Sequence, residues 1–161
     1  MPEAPAWINW IAASPLSLLI NNSAWLFAII EALHLLGIVL FGGALLAVDF
    51  GVLGAGFMPV EVRPLERQAR PWLWAGLGTI VTSGGLMFIA EAKKCYFNPA
   101  FRFKMIAFVL AALLLATLRR GAIGRLEAGI ARTPASLRTI SVLSIGLWFA
   151  VAAGGRAIGF Y

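Results

Sequence analysis

The chain has 161 residues, 61% of them hydrophobic and only 12% charged, with a mean hydropathy of +0.89. Soluble domains run at about 45–50% apolar and about 25% charged. So little polar surface cannot cover a water-facing globule, which excludes a soluble enzyme, a disordered chain and a DNA-binding module. The net charge of +6 does not signal nucleic acid. Its Lys and Arg residues sit mostly in loops between apolar runs, where membrane proteins carry the charges that set topology.

In chain order, residues 4–20 form an apolar segment with Trp7 and Trp10 near its start and Pro15 in the middle. It is too short and interrupted to span comfortably, and its Trp pair predicts an amphipathic helix lying in the headgroup zone. Residues 1–9 carry Glu3 and no Lys or Arg, so no cleavable signal peptide is expected. Ser23 is a good N-cap for the next element. Four apolar stretches of spanning length follow, at 24–50, 72–90, 101–118 and 139–159; a helical span takes about 20 residues. Breakers separate them at Met58-Pro59, Arg63-Pro64, Arg70-Pro71, Asn98-Pro99 and Thr133-Pro134. The expected fold is an all-α integral membrane protein. It is a single membrane domain over 1–161, a four-transmembrane-helix bundle preceded by an N-terminal interfacial helix.

Orientation follows from the basic residues. Arg63, Arg67 and Arg70 lie between the first two spans, and Arg119, Arg120, Arg125, Arg132 and Arg138 between the last two. The opposite face has Lys93, Lys94, Arg102, Lys104 and Arg156, the last three within reach of the membrane ends. The positive-inside rule puts the Arg-rich face in the cytoplasm and both termini outside.

Polar groups within lipid are costly and mark function by default. His34, the single histidine, lies up to about 13 Å below the outer start of its span at 1.5 Å per residue. Glu31, three residues earlier, shares its helix face. A buried neutral imidazole needs hydrogen-bond partners or a metal. One reading is a histidine bonded to Glu31 or to a Ser or Thr of a neighbouring helix. The other is an axial ligand to haem iron, its second ring nitrogen held by an acceptor. Lys104, Met105, Met87, Glu91 and Arg156 fall at the same outer end. Arg156 and Lys104 would suit haem propionates, or would snorkel to headgroups. With one His, a sixth iron ligand would be Met87, Met105 or Lys104, or absent. Gly37, Gly84, Gly85, Gly154 and Gly155 either let helices approach closely or leave a slot free of side chains for a flat macrocycle. Aromatic residues including Phe41, Phe88 and Phe108 would line such a slot or simply pack the core. Cys95 is the one cysteine, which excludes an intrachain disulfide and a CxxC metal site.

The stretch Glu31-Ala32-Leu33-His34-Leu35-Leu36-Gly37, continuing through Gly42-Gly43, resembles the first His-bearing span of the HemJ-type protoporphyrinogen oxidases and of the copper-resistance D membrane proteins. Phe101-Arg102-Phe103-Lys104-Met105 is similar to the HemJ lysine-bearing helix, and the span ending in Gly154-Gly155-Arg156 to its closing helix. The chain also resembles small bacterial four-span membrane proteins of unassigned function. The HemJ resemblance implies haem b on His34 and a role for His34 and Lys104 in porphyrinogen oxidation; the expected location is a bacterial inner membrane, with the termini placed in the periplasm by the charge count above. The end of span three, Ala116-Thr117-Leu118-Arg119, lacks the histidine of that helix in the HemJ type.

Four functions are therefore expected to compete. These are a haem b electron-transfer protein working with quinone or a redox partner protein, a porphyrinogen oxidase, a copper-handling or transport protein, and a structural subunit of a larger complex. Whether the chain is an enzyme is left open by the sequence. Four spans make a thin bundle, and glycines such as Gly51, Gly54, Gly56, Gly76 and Gly78 invite contacts, so a homo-oligomer in the lipid bilayer is expected.

Overall fold

The computed structural model describes residues 3–54, 61–119 and 135–160. Among these residues the chain is all α-helical, without strands. The helices are α1 (Ala6–Ala12), α2 (Pro15–Asn22), α3 (Leu26–Leu53), α4 (Val62–Ala90), α5 (Ala92–Phe97), α6 (Pro99–Leu113) and α7 (Ala135–Ala157). A π-helical turn, Leu114–Arg119, continues α6, and a 3-10 turn, Ile158–Phe160, follows α7. Four helical stretches are long and apolar enough to cross a membrane: Leu26–Leu53, Val62–Ala90, Pro99–Ala116 and Ala135–Phe160. The protein is a multi-pass membrane protein built as a four-helix bundle.

Each boundary has a local cause. The Ser23 hydroxyl accepts from the Leu26 amide at 3.2 Å, opening α3 one turn after Asn21-Asn22. Gly54, in the left-handed region at φ 71°, closes α3, a conformation that suits a residue without Cβ. Asn98 caps α6, its Oδ1 accepting from the amides of Ala100 at 2.9 Å and Phe101 at 3.2 Å. Pro99 sits in the first helical position, where no amide donor is needed.

Three expectations are corrected. The segment 4–20 is not one helix. Ser14 interrupts it, its hydroxyl accepting from the Ser17 amide at 3.2 Å, and Pro15 starts α2 afresh. Helix α4 begins at Val62, ten residues before the apolar run at 72. Pro64 falls in its first turn, where amides lack intrahelical partners, and Pro71 is carried inside the helix. Hydropathy missed this helical start because 62–71 is polar. The segment between the second and third spans is not a plain loop but contains α5. Met58-Pro59, Thr133-Pro134, Gly56, Arg120, Arg125 and Arg132 lie outside the described residues.

Helix α3 packs along α4, α6 along α7, and α3 also meets α7. The short helices gather at one end of the bundle. Asn21 Nδ2 donates to the Ala90 carbonyl at 3.0 Å, joining α2 to the end of α4. Trp7 meets Tyr96 edge to face at 5.9 Å, joining α1 to α5. Asn98 Nδ2 donates to the Ile158 carbonyl at 3.2 Å, so the turn after α7 lies there too. Ile8, Ser17 and Ile20 are buried while Trp10, Leu18 and Leu19 face outward. Trp7, Trp10 and Trp25 thus mark this end, and exposed Trp72 and Trp74 mark the other. From Trp72 to Ala90 is about 27 Å of helix, close to the hydrocarbon thickness of about 30 Å. Exposed Trp side chains thus stand at both ends of the bundle, where membrane proteins carry aromatic belts.

The middle of the bundle is apolar. Phe41, Leu45 and Leu73 are buried together, with Leu77, Ile80, Leu115 and Trp148 against them. The rings of Phe41 and Trp148 lie 4.4 Å apart, and Phe108 meets Trp148 edge-on at 5.8 Å. The closest backbone approach is at Gly76, where an added Cβ would stand 2.6 Å from the Phe41 amide nitrogen and 2.9 Å from its Cα. Backbone cannot yield as a flexible side chain can. Gly76→Val should therefore destabilise the bundle by about 1–3 kcal/mol, read from a denaturation midpoint in detergent. Gly42→Ala, with nothing within 4 Å of its Cβ position, should leave that midpoint in place.

Candidate functional site

His34 lies eight residues into α3, about 12 Å along its axis. Ser83 lies seven residues before the end of the antiparallel helix α4, about 10.5 Å from that end. The two therefore sit at one level, in the half of the bundle nearest α1 and α2. His34 is 7% exposed and Ser83 5%. His34 Nδ1 and Ser83 Oγ are 2.9 Å apart. The Ser83 hydroxyl donates back to the Thr79 carbonyl one turn earlier, a habit of serine inside helices. The Ile80 carbonyl is 3.4 Å from the same oxygen.

Two glycines allow this approach. A Cβ on Gly37 would stand 3.1 Å from the Ile80 amide nitrogen and from Thr79 Cβ, so its absence lets α3 and α4 close. A Cβ on Gly84 would stand 3.2 Å from His34 Cε1. The imidazole itself occupies the space that Gly84 leaves.

Lys104, half-buried on α6, lies six residues after the Asn98 cap, in the half of the bundle that also holds His34. Its aliphatic stem lies on α7. A Cβ on Gly154 would be 3.1 Å from Lys104 Cβ, and one on Gly155 would be 3.4 Å from its Nζ. Cys95 is buried on α5 within electrostatic reach of Lys104. Burial pushes its thiol up, Glu91 adds to the rise, and Lys94 and Lys104 oppose it. A thiol ordinarily titrates near about 8.5, so Cys95 stays protonated at neutral pH and is a poor nucleophile and metal ligand there.

The other expected residues are placed differently. Glu31 is exposed on α3 and does not pair with His34. Three helical residues turn about 300°, enough to carry one side chain inside while the other stays on the surface. Arg156 is in the last turn of α7 with its guanidinium 5.4 Å from the Phe160 ring centroid. Met105 is 41% exposed, and Met87 packs with Ile20, Ile30 and Ala90 toward the bundle end. Neither thioether is shown against His34. Gly37, Gly84, Gly154 and Gly155 serve contacts between helices rather than an open slot, and Gly85 faces open space. Asp49 is fully buried on α3, well away along the helix from His34. Among the described residues, no group of three or more His, Cys, Asp or Glu is placed to hold a metal ion.

The sequence named a Ser or Thr of a neighbouring helix as one partner for His34 but did not single out Ser83. The signal was present. Counting from the shared end of two antiparallel spans puts residues 34 and 83 at nearly equal depth.

A family model described as a family of unknown function, DUF6644, matches residues 7–161. No curated protein and no solved structure matches the chain. The match covers almost the whole sequence, and the chain belongs to the DUF6644 family.

Proposed function

We propose that the protein is a haem b-binding membrane protein with a redox role, in which His34 is an axial iron ligand. The observation that carries this reading is the setting of His34: an imidazole buried between two membrane helices, its Nδ1 engaged by Ser83. Metal-ligating histidines have this arrangement, one ring nitrogen oriented by a neighbour and the other offered to the metal. The donor set fits a macrocycle better than a bare ion. Among the described residues no group of three or more His, Cys, Asp or Glu is placed to hold a metal ion, so iron on this imidazole would have to bring other donors with it. A haem b would bring four equatorial nitrogens and supply a one-electron iron couple.

The chain's own residues then divide the work. His34 would hold the group in the half of the bundle nearest α1 and α2. Lys104, in the same half, would place a positive charge beside it, and Arg156 at the end of α7 would reach propionates at the surface. The exposed face of Gly85 offers approach along α4. The presence of both His34 and Lys104, the two residues that the HemJ resemblance singles out, also favours a second reading, porphyrinogen oxidation as in that type. A copper-handling role draws less support, since Met87, Met105 and Cys95 are spread over separate places and soft ligands must converge to hold copper.

Within the same proposal, the chain lies in a bacterial inner membrane with exposed Arg63, Arg67 and Arg70 toward the cytoplasm and both termini toward the periplasm. Partners would be a quinone or redox protein, and a second copy of the chain. No more than a third of the most apolar window of any span is buried, which leaves broad faces for lipid or for self-association.

Protein purified in detergent from haem-replete cells should show a Soret band with iron near one per chain. His34→Ala should lose the band, while Glu31→Gln, altering the exposed neighbour, should keep it. A colourless wild type that takes up no added haemin, or a band unchanged in His34→Ala, overturns the reading; copper without iron on metal analysis turns it toward the copper class. Lys104→Ala should retain the band if haem is resident and lose porphyrinogen oxidation if the second reading holds, scored by rescue of a haem-synthesis mutant. A mass measurement of the detergent-solubilised protein should exceed that of one chain.

A further inference from the structure

We propose that Ser83 is a positioning residue that fixes the tautomer of His34, holding the ring proton on Nδ1 and leaving the lone pair on Nε2. The inference rests on the reading of His34 as a metal ligand for its use, but the tautomer itself belongs to the protein alone.

A serine hydroxyl has one proton to donate and lone pairs to accept with. The closest contact of the Ser83 oxygen is with the Thr79 carbonyl, which can only accept. The hydroxyl proton therefore lies toward Thr79, and the oxygen meets His34 Nδ1, at 2.9 Å, as an acceptor. Two acceptors at that separation would repel, so Nδ1 must carry hydrogen. The Ile80 carbonyl, 3.4 Å from the same hydroxyl oxygen, can likewise only accept, so it too leaves that oxygen an acceptor toward the ring. A neutral imidazole has one N–H. With that hydrogen on Nδ1, Nε2 is the free base, and a metal binds the lone pair and not the N–H. The ring is also held sterically, since Gly84, the neighbour of Ser83 in sequence, leaves space that Cε1 fills.

The site lies at membrane depth, where water does not compete for either group. That strengthens the hydrogen bond and raises the cost of leaving its members unpaired. About one and a half turns of α4, Thr79 to Gly84, thus supply the acceptor chain, the donor sink and the steric seat for a single side chain of α3.

Because the chain has one histidine, ring-15N-histidine labelling of the full-length protein gives a single imidazole to observe. Spectra of haem-free protein in nanodiscs at about pH 8, above the ordinary histidine value of about 6.5, should show Nδ1 protonated and Nε2 unprotonated. Ser83→Ala should move the ring toward the other tautomer or a mixture, and Ser83→Thr, which keeps the hydroxyl, should restore the wild-type pattern. Haemin titration should then find Ser83→Ala weakened by about 10–100-fold, with a shifted reduction potential and with Ser83→Thr near wild type. A wild-type ring protonated on Nε2, or a Ser83→Ala ring identical to wild type, overturns the inference whether or not haem binds. The expected tautomer in a protein that binds no haem upholds the positioning by Ser83 and removes the iron reading alone.

Discussion

The structure depends on the close approach of α3 to α4. Both helices are apolar over most of their length, and lipid supplies no hydrophobic drive between helices in a membrane. What remains is packing and the satisfaction of polar groups. Gly76 lets the Phe41 backbone come within contact, Gly37 does the same about one turn nearer the α1–α2 end, and Gly84 admits the imidazole edge. At that spacing the Ser83 hydroxyl reaches His34. Had any of the three carried a larger side chain, the helices would stand apart and a buried imidazole would lose its partner, at a cost of several kcal/mol in hydrocarbon.

The bundle is layered around this seam. At one end α1, α2, α5 and the turn after α7 cover the helix ends, tied by Asn21, Asn98 and the Trp7–Tyr96 contact. Just beneath lies the polar layer of His34, Ser83 and Lys104. Deeper come Phe41, Phe108 and Trp148, whose buried indole N–H has no hydrogen-bond partner. Exposed arginines of α4 mark the far end. The polar layer is thus separated from the Arg-bearing face by an apolar core and lies near the end that the short helices cover.

Much of this was legible in the sequence because it follows from composition and depth. Apolar run lengths fix four spans, and a histidine eight residues into a span must be buried or bonded. Ser23 reads as a cap because its short polar side chain can take up a free amide, whereas Asn98 reads only as part of a breaker with Pro99. What could not be read was angular. Glu31 and His34 are three residues apart, yet one is exposed and the other buried, because the boundary of the packed face passes between them. The glycines share a composition but not a use. Gly84 receives a side chain, Gly154 and Gly155 carry the stem of Lys104, and Gly85 faces outward; only packing decides which. Helix α4 was drawn too short because hydropathy registers lipid contact, and its first ten residues are helical without being apolar.

The central claim is that the Nε2 of His34 serves as a ligand to iron. Replacing His34 by Gly removes the ligand and leaves a space the size of an imidazole. Absorption and electron paramagnetic resonance spectra of His34→Gly protein, loaded with haemin in the presence and absence of free imidazole, test the claim most directly. The account predicts that the wild-type spectrum is lost in the variant and returns when imidazole is supplied. A variant whose spectrum matches wild type without imidazole would contradict it.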